Sequence, residues 1–376
     1  MRICYQCEHL NPPALNLCEK CHASLLFEDN EGSDNTVVSR SWFHRDKESE
    51  EIYFSQELEL EEETIPTSTK LSVKDPLIGQ ALGNITLVEK LGQGGFGAVY
   101  KATHKYVDSL FAVKILQVRK LANETDVKRF KREGIVLAQL KHKNIVRFHD
   151  LGSIGSNGFY ITMEYLQGES LQQELNKRRQ ANKPYRLAEV KELIGSLANA
   201  LSHIHEKGLV HRDLKLSNIF LHKDEEVGTV VKLFDFGIAG LLNEPSELTE
   251  TGTYLGTAKY VAPEQILASK KVDHRADLYS LGIILYQLIT GRTPFNKMPP
   301  LEIVMAHLHK DPPRLREIRP ARPWADELEA FLQKVLAKKA EDRPQSAKDF
   351  IGECEVAIDA QLDLWKRHKK RAKANR

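Results

Sequence analysis

The sequence has no long hydrophobic run, no strong net charge and almost no cysteine beyond its first residues. Its most apolar helix candidate, residues 278–289, is too short to cross a bilayer and carries polar side chains, so we expect no membrane span. The formal net charge of +2 excludes a chain that is strongly basic or acidic as a whole. The first residues hold cysteines rather than the apolar core of a secretory leader. We therefore expect a soluble, cytoplasmic protein.

Four of the five cysteines form two Cys-x-x-Cys pairs before residue 22, namely Cys4 with Cys7 and Cys18 with Cys21. Two such pairs can present four thiolates to one metal ion, in the tetrahedral arrangement that suits Zn²⁺. Residues 1–26 are too few to fold by apolar burial, so we expect a small zinc-ribbon-like segment whose metal supplies the folding energy. Two disulfides or a redox pair are the alternatives, and the doubled motif argues against both. We leave a protein partner of the ribbon open and do not expect nucleic acid.

Residues 27–77 are polar and acidic, ending in a run that includes Glu57, Glu59 and Glu61. Their few aromatic residues are too sparse to build a core, which predicts a mostly disordered linker. An autoinhibitory or docking segment is the functional alternative. The last residues, 356–376, are instead basic, and we interpret them as a solvated helix end that forms a C-terminal tail.

Regular structure is predicted from about residue 78, with an alternating strand at residues 85–91. A glycine-rich segment follows, where the absence of Cβ atoms lets main-chain N–H groups approach phosphates. Dinucleotide-binding folds share this pattern, but there it leads into a helix, whereas residues 98–102 here continue as a second strand. The segment reads Gly92-Gln93-Gly94-Gly95-Phe96-Gly97-Ala98-Val99.

Lys114 is the single charge in the apolar strand predicted at residues 111–115. A lysine among apolar neighbours is costly unless it is paired, so we expect it to meet both a phosphate and a carboxylate. The next predicted helix, residues 126–140, offers Glu133, and Glu124 is the less favoured alternative because it precedes the helix. An ordinary edge-strand lysine is the other interpretation, which the glycine-rich segment upstream argues against.

Two further strands are predicted at residues 144–148 and 159–166, and a long amphipathic helix at residues 187–206.

The segment His-Arg-Asp-Leu-Lys-Leu-Ser-Asn at residues 211–218 holds a carboxylate, an ammonium and an amide close together. The carboxylate of Asp213 can orient a hydroxyl and take its proton, and Lys215 can offset charge on a moving phosphoryl group. Asn218 and Asp235 carry the hard oxygen ligands that Mg²⁺ prefers, and Asp235 stands at the end of a predicted strand, residues 230–234.

In this order the motifs resemble those of the eukaryotic-type protein kinases, in particular their bacterial serine/threonine branch. The resemblance covers about residues 83–355 and includes H-R-D-L-x-x-x-N, Asp-Phe-Gly at 235–237 and Ala-Pro-Glu at 262–264. It implies an α+β, bilobal protein kinase fold at residues 78–355, with a β-rich small lobe at about 78–165 and a helical large lobe at about 166–355. It further implies transfer of the γ-phosphoryl group from ATP, with Mg²⁺ or Mn²⁺, to serine or threonine hydroxyls of protein substrates.

A scaffold without catalytic activity, a pseudokinase, is the alternative from another class. Such proteins usually lack the strand lysine or one of the two aspartates, and Lys114, Asp213 and Asp235 are all present.

The same resemblance assigns roles to individual residues. Asp213, Lys215, Lys114 and Glu133 are implied to be catalytic, with Asn218 and Asp235 as metal ligands. The implied nucleotide contacts are Leu91, Gly92, Gln93, Gly94, Gly95, Phe96, Gly97, Ala98, Val99, Ala112, Lys114, Met163, Glu164, Leu166 and Phe220.

Four further expectations concern the large lobe. Residues 256–264, here called the docking segment, match the part of these kinases that receives the substrate. Glu264 is expected to pair with Arg343 in the interior, and Asp277 to brace residues 211–218, here called the catalytic loop. The candidates for autophosphorylation in the loop before the docking segment are Thr249, Thr251 and Thr253.

Overall fold

The computed structural model describes residues 2–3, 10–11, 75–94, 97–116, 134, 136–154, 158–235, 258–267 and 272–374. The chain divides into two units, residues 1–50 and 51–376. In the first unit the described residues pair as an antiparallel hairpin of β1 (Arg2–Ile3) and β2 (Leu10–Asn11). The four cysteines predicted to bind zinc lie outside the described residues.

The second unit begins its described part with a six-stranded antiparallel sheet, which forms the small lobe. The strands predicted at residues 85–91, 98–102 and 111–115 are confirmed, and the strand predicted at residues 159–166 is present but ends at Glu164. Their order across the sheet is β3-β4-β5-β6-β8-β7. The strands are β3 (Ala81–Leu82), β4 (Ile85–Gly94), β5 (Gly97–His104), β6 (Leu110–Leu116), β7 (Phe148–Ile154) and β8 (Gly158–Glu164).

The two faces of this sheet serve different purposes because side chains alternate along a strand. One face packs a small core of its own that includes Leu87, Tyr100 and Val113. Ala112 and Lys114 flank Val113 in β6, so they lie on the other face, and Ala112 joins the main core of the molecule. The sheet therefore presents Lys114 toward the interior between the two lobes.

The strand predicted at residues 144–148 is wrong for most of its length. Strand β7 begins only at Phe148. The apolar residues before it pair with Leu233 of the large lobe instead: Val146 N donates to Leu233 O at 2.9 Å, and Leu233 N donates to Asn144 O at 2.8 Å. An apolar run predicts burial, but it does not say which sheet supplies the hydrogen bonds.

The large lobe is mainly helical and holds a second small sheet of β9 (Gly168–Ser170), β10 (Ile219–Asp224) and β11 (Gly228–Leu233). The helix predicted at residues 187–206 is confirmed at both ends. The described α-helices are α1 (Leu171–Gln180), α2 (Leu187–Glu206), α3 (Pro263–Ile266), α4 (Arg275–Thr290), α5 (Pro300–His309), α6 (Leu315–Ile318), α7 (Asp326–Val335) and α8 (Ala347–Ala374).

Helix α4 is the central helix of the large lobe, with nearly all of its side chains buried. It ends at Gly291, whose left-handed φ of 83° is the usual conformation after a helix C-terminus. In the part of the chain that the structure describes, neither α4 nor any other helix combines the length and apolarity that crossing a membrane requires.

The last helix, α8, runs through residue 355, where the sequence places the end of the folded domain. Ile358 and Gln361 beyond this position are fully buried, and Trp365 Nε1 donates to Pro323 O at 3.0 Å. From residue 366 to residue 371 the basic side chains are exposed. The packed part of the large lobe therefore extends to about Trp365, and only the end of the predicted tail is solvated.

A fully buried histidine, His307, connects α5 to α4. Its Nδ1 lies 2.8 Å from the hydroxyl of Tyr279, and the Phe295 ring packs edge-on with centroids 5.0 Å apart. Burial lowers the pKa of His307 to about 3, the charge of Lys338 acts in the same direction, and the main chain of Lys259 acts against both. Nε2 makes no well-aligned hydrogen bond among the described residues. The ring is therefore neutral at ordinary pH.

Replacement of His307 by glutamine is expected to flatten the acid side of the stability profile. Because the folded pKa of about 3 lies below the ordinary value of 6.5, the unfolded chain takes up this proton first. The stability present above about pH 6.5 is thus lost as the pH falls toward 3, by about 1.4 kcal/mol per pH unit. Glutamine takes up no proton, so denaturant unfolding at about pH 7 and about pH 5 should show a smaller loss in His307→Gln than in the wild type.

The matched control is His309→Gln, at an exposed position of the same helix. It should retain the wild-type loss between the two pH values. A His307→Gln profile parallel to that of the wild type would contradict the argument.

Candidate active site

Lys114 and Asp235 meet in the structure although 121 residues separate them. Lys114 comes from β6 of the small lobe, and Asp235 follows β11 of the large lobe. The Lys114 Nζ donates to Asp235 Oδ1, and only 11% of the lysine side chain is exposed. The sequence predicts a carboxylate partner from the next helix, whereas the partner among the described residues is Asp235. Glu133, the partner proposed for it, lies outside the described residues.

The main chain at Asp235 adopts a left-handed conformation with φ of 59°. For a residue with a Cβ this costs roughly 1–2 kcal/mol and is retained only where the surroundings enforce it. The conformation is part of what brings the carboxylate to Lys114. No sequence pattern short of the family resemblance indicates this strain.

Asp213, Lys215 and Asn218 form the second group of the site. Lys215 Nζ lies 3.0 Å from Asp213 Oδ2, and Asn218 Nδ2 donates to Asp213 O at 2.8 Å and to Asp213 Oδ2 at 3.0 Å. Asn218 is buried, in a short 3₁₀ turn at the end of the catalytic loop. Two donors therefore fix the Asp213 carboxylate.

Main-chain contacts join these two groups. Phe234, the neighbour of Asp235, donates its N–H to Asn218 O at 3.1 Å. The Phe234 carbonyl in turn lies 3.2 Å from Nε2 of the buried His211. The segment that carries Asp235 and the loop that carries Asp213 are thus held side by side.

Asp277 braces the catalytic loop from α4, as predicted. Its two carboxylate oxygens accept the N–H groups of His211 and Arg212, each at 2.8 Å, and one lies 2.8 Å from His205 Nε2. Burial raises the pKa of Asp277, but the His205 hydrogen bond, the charges of His205 and His211 and the His211 N–H outweigh it, so the pKa lies below its ordinary value. The carboxylate is therefore held ionised in the interior.

The pairing of the strands aligns the small-lobe side chains that are predicted to form the adenine pocket of the nucleotide site. Val99 is paired with Lys114, and Ala112 with Met163, so these side chains share the sheet face that turns toward the large lobe. Ala112 and Met163 are buried, and Val99 packs against the same core. From the large lobe, Leu166 and Phe220 are half-buried.

The described part of the glycine-rich segment belongs to the end of β4 and the start of β5, and Leu91, Gly92 and Gln93 are exposed. Gly95 and Phe96 lie outside the described residues. Gly97 has a φ of 145°, and a Cβ there would come within 1.9 Å of Ile115 O. This glycine is therefore required by the neighbouring strand, whatever its part in phosphate binding.

Glu164 carries a side-chain contact that sequence analysis missed. Its carboxylate accepts Arg147 N at 2.8 Å and Lys232 Nζ at 2.7 Å, so it links the two lobes beside the adenine pocket. The signal was available, because Lys232 is the single charge in an apolar strand, as Lys114 is in β6. Glu264 and Arg343 pair in the interior as predicted, whereas Thr249, Thr251 and Thr253 lie outside the described residues.

Comparison with known proteins agrees with this geometry. Residues 85–352 match the protein kinase domain family. The chain belongs to this family. The kinase is 38% identical over 288 residues to the serine/threonine-protein kinase Pkn1 of Myxococcus xanthus, which covers 77% of this chain and 40% of the relative. It is 36% identical over 272 residues to PknF of Mycobacterium tuberculosis, covering 72% of this chain and 56% of that protein.

A third relative, PrkC of Bacillus subtilis, is 33% identical over 288 residues, which cover 76% of this kinase and 42% of PrkC. The kinase therefore spans about two fifths to just over half of the length of these relatives. Among solved structures, the PknI kinase domain of Mycobacterium tuberculosis superposes with a TM-score of 0.59 at 29% identity, covering 76% of this chain and 98% of that domain. The fold is that of the protein kinases, and the domain is of the ATP-dependent serine/threonine type.

Proposed function

We propose that the whole protein is an active kinase that transfers the γ-phosphoryl group of ATP to serine and threonine hydroxyls of protein substrates. One observation carries the proposal. Lys114 and Asp235 are in contact, and the main chain of Phe234 links them to the group of Asp213 and Asn218. The reacting groups that distant parts of the sequence supply are thus assembled at one place.

The residues present fit a Mg²⁺ ion. The Asn218 amide nitrogen is committed to Asp213, so its oxygen is the hard ligand that this residue offers, and Asp235 adds a carboxylate. Bound Mg²⁺, or Mn²⁺ in its place, would neutralise charge that develops on the phosphates. Lys114 would hold the phosphates from the small-lobe side.

Acceptor chemistry falls to Asp213 and Lys215. A carboxylate held by two donors is placed to orient a substrate hydroxyl and to receive its proton. Lys215, at 3.0 Å from that carboxylate, can place its ammonium group beside the transferred phosphoryl group and stabilise the charge there. Glu133 is proposed to assist Lys114.

The nucleotide base is proposed to lie between Val99 and Ala112 on one side and Phe220 on the other. Met163 borders this space, and the main chain at Glu164 and Leu166 would supply hydrogen bonds to the base. The remaining predicted contacts, from Leu91 to Ala98, would cover the phosphates.

Two regions outside the described residues complete the proposal. Zn²⁺ bound by Cys4, Cys7, Cys18 and Cys21 is supported by the hairpin of β1 and β2, which brackets the first cysteine pair in sequence. We propose a protein partner for this segment and a cytoplasmic location for the kinase. Autophosphorylation at Thr249, Thr251 or Thr253 is supported by Arg212, whose Nε is buried and makes no hydrogen bond among the described residues.

Purified kinase incubated with γ-labelled ATP, Mg²⁺ and a mixed protein acceptor is expected to yield labelled phosphoserine and phosphothreonine. Chelation of the metal with excess EDTA should abolish the labelling, and added Mg²⁺ or Mn²⁺ should restore it, because Asp235 and Asn218 offer ligands that need a hard cation. Acid hydrolysis and phosphosite mapping identify the acceptors. Label found only on tyrosine, or labelling that persists in EDTA, would contradict the proposal.

A further inference from the structure

The main chain of Arg212, the residue just before Asp213, is held at both its N–H and its carbonyl. Arg212 has a left-handed φ of 64°, which costs roughly 1–2 kcal/mol for a residue with a side chain. Its N–H donates to Asp277 at 2.8 Å, and its carbonyl accepts a hydrogen bond from Gln265 Nε2, also at 2.8 Å. The contact with Asp277 therefore holds only the N–H of Arg212. Gln265, on α3 directly after the docking segment, holds the carbonyl.

The side-chain amide of Gln265 also forms a hydrogen bond through its oxygen. Gln265 Oε1 accepts the N–H of Ala262, inside the docking segment, at 3.0 Å. A main-chain N–H can only donate and a carbonyl can only accept, so the two partners fix which end of the amide is oxygen and which is nitrogen. One half-buried side chain therefore joins the segment that receives the substrate to the loop that carries the proposed base.

We propose that Gln265 is a positioning residue for phosphoryl transfer: its amide holds the strained Arg212–Asp213 peptide in register with the docking segment. The inference rests on the proposed function in one respect, the role of Asp213. Because the position of a base relative to its substrate determines much of the rate, release of this peptide should reduce turnover more than nucleotide binding.

A purely local role for Gln265 is the alternative. The residue occupies the third position of the short helix α3, where accepting the Ala262 N–H stabilises the first turn. Glutamate at this position can accept that hydrogen bond but cannot donate to the Arg212 carbonyl while it is ionised. The substitution Gln265→Glu thus preserves the local contact and removes the contact with the catalytic loop.

The test measures kcat and the KM for ATP and for an acceptor peptide in Gln265→Glu between about pH 8 and about pH 5.5. At the upper pH we expect kcat to fall by about tenfold to a hundredfold, with the KM for ATP within about twofold of the wild type. As the pH falls, the carboxyl group takes up a proton and can donate again, so the ratio of wild-type to variant kcat should narrow. Gln265→Met, which neither donates nor accepts, should lose activity without this recovery.

Each ratio is taken against the wild type at the same pH, because other titratable or charged groups surround Gln265 in both proteins. The matched control is Gln333→Glu: Gln333 is also half-buried and donates to a carbonyl, that of Pro312 at 3.0 Å, away from the site. It should keep wild-type kcat at every pH. The charged groups on the elements that these contacts connect are His211, Arg212 and Asp213 of the catalytic loop, Glu264 of α3, Arg275 and Asp277 of α4, and Arg343.

Unchanged kcat in Gln265→Glu, or a loss that is equal at both ends of the pH range, would overturn the inference. A wild-type protein without activity on any acceptor would instead overturn the proposed function. The hydrogen bond between Gln265 and the catalytic loop is then tested alone by hydrogen exchange of residues 209–216, measured by mass spectrometry at one pH. Faster exchange in Gln265→Glu than in the wild type supports a positioning role for this hydrogen bond, and equal exchange contradicts that role.

Discussion

Asparagine in place of Asp213 is expected to lower kcat by about 10²–10⁴-fold, the range over which a positioned general base contributes. The substitution keeps the size of the side chain, and one oxygen can still accept from Asn218, which donates at 3.0 Å in the wild type. It removes the negative charge that attracts Lys215 and the group that receives the proton of the substrate hydroxyl. The loss should therefore appear in turnover, with ATP binding largely retained.

Steady-state kinetics with a peptide acceptor, together with the equilibrium binding of an ATP analogue, would measure this effect. The control is Asp359→Asn, which removes an exposed carboxylate from the Lys191–Asp359 pair on the outer face of the large lobe. It should leave kcat within about twofold of the wild type. If Asp213→Asn retained most of the wild-type turnover, the assignment of the base would be wrong.

Methionine in place of Arg343 is expected to destabilise the large lobe by about 3–5 kcal/mol, as is usual when one partner of a buried ion pair is removed. The Arg343 side chain is fully buried and forms a bidentate pair with Glu264 at 2.7 and 2.8 Å. It also donates to the carbonyls of Arg275, Ala337 and Lys338. Methionine fills a similar volume but leaves the carboxylate and three carbonyls without these donors.

Denaturant unfolding followed by circular dichroism would measure the loss. Lys348→Met is the control, because Lys348 pairs with Glu206 where both side chains are largely exposed, and its unfolding midpoint should stay near that of the wild type. Arg343→Lys should recover little stability, since a single ammonium cannot form the bidentate pair. A loss below about 1 kcal/mol in Arg343→Met would contradict the argument.

The sequence allowed most of the site to be predicted where a charge stood in an apolar strand or a motif had a fixed spacing. From its position in β6, Lys114 was predicted to need a carboxylate of the next helix, and the structure pairs it with the carboxylate of Asp235. The partner itself could not be derived, because Asp235 reaches the lysine through a left-handed main-chain conformation that residue types do not encode. Helix α2 was predicted correctly at both ends because its apolar residues recur at helical spacing over its whole length.

Contacts that depend on which element comes near which were not predictable in the same way. Residues 144–146 fit a strand of the small lobe equally well, and only the packing shows that they pair with Leu233. Gln265 looks like an ordinary polar residue until the catalytic loop lies beside it. The charge of Lys232 in an apolar strand indicates that a partner is needed, but it does not identify Glu164 as that partner. Periodicity describes one element at a time, whereas these contacts each join two.

The packing of α8 against the rest of the large lobe also provides an intrinsic spectroscopic probe. Trp365 of this helix lies 6.0 Å from Trp324 between ring centroids, and the Arg322 guanidinium stacks on Trp365 at 4.1 Å. Trp324 and Trp365 are two of the three tryptophans in the chain. Much of the ultraviolet fluorescence therefore arises at one corner of the large lobe, so that a red shift on mild denaturation would report detachment of the C-terminal helix separately from events in the catalytic cleft.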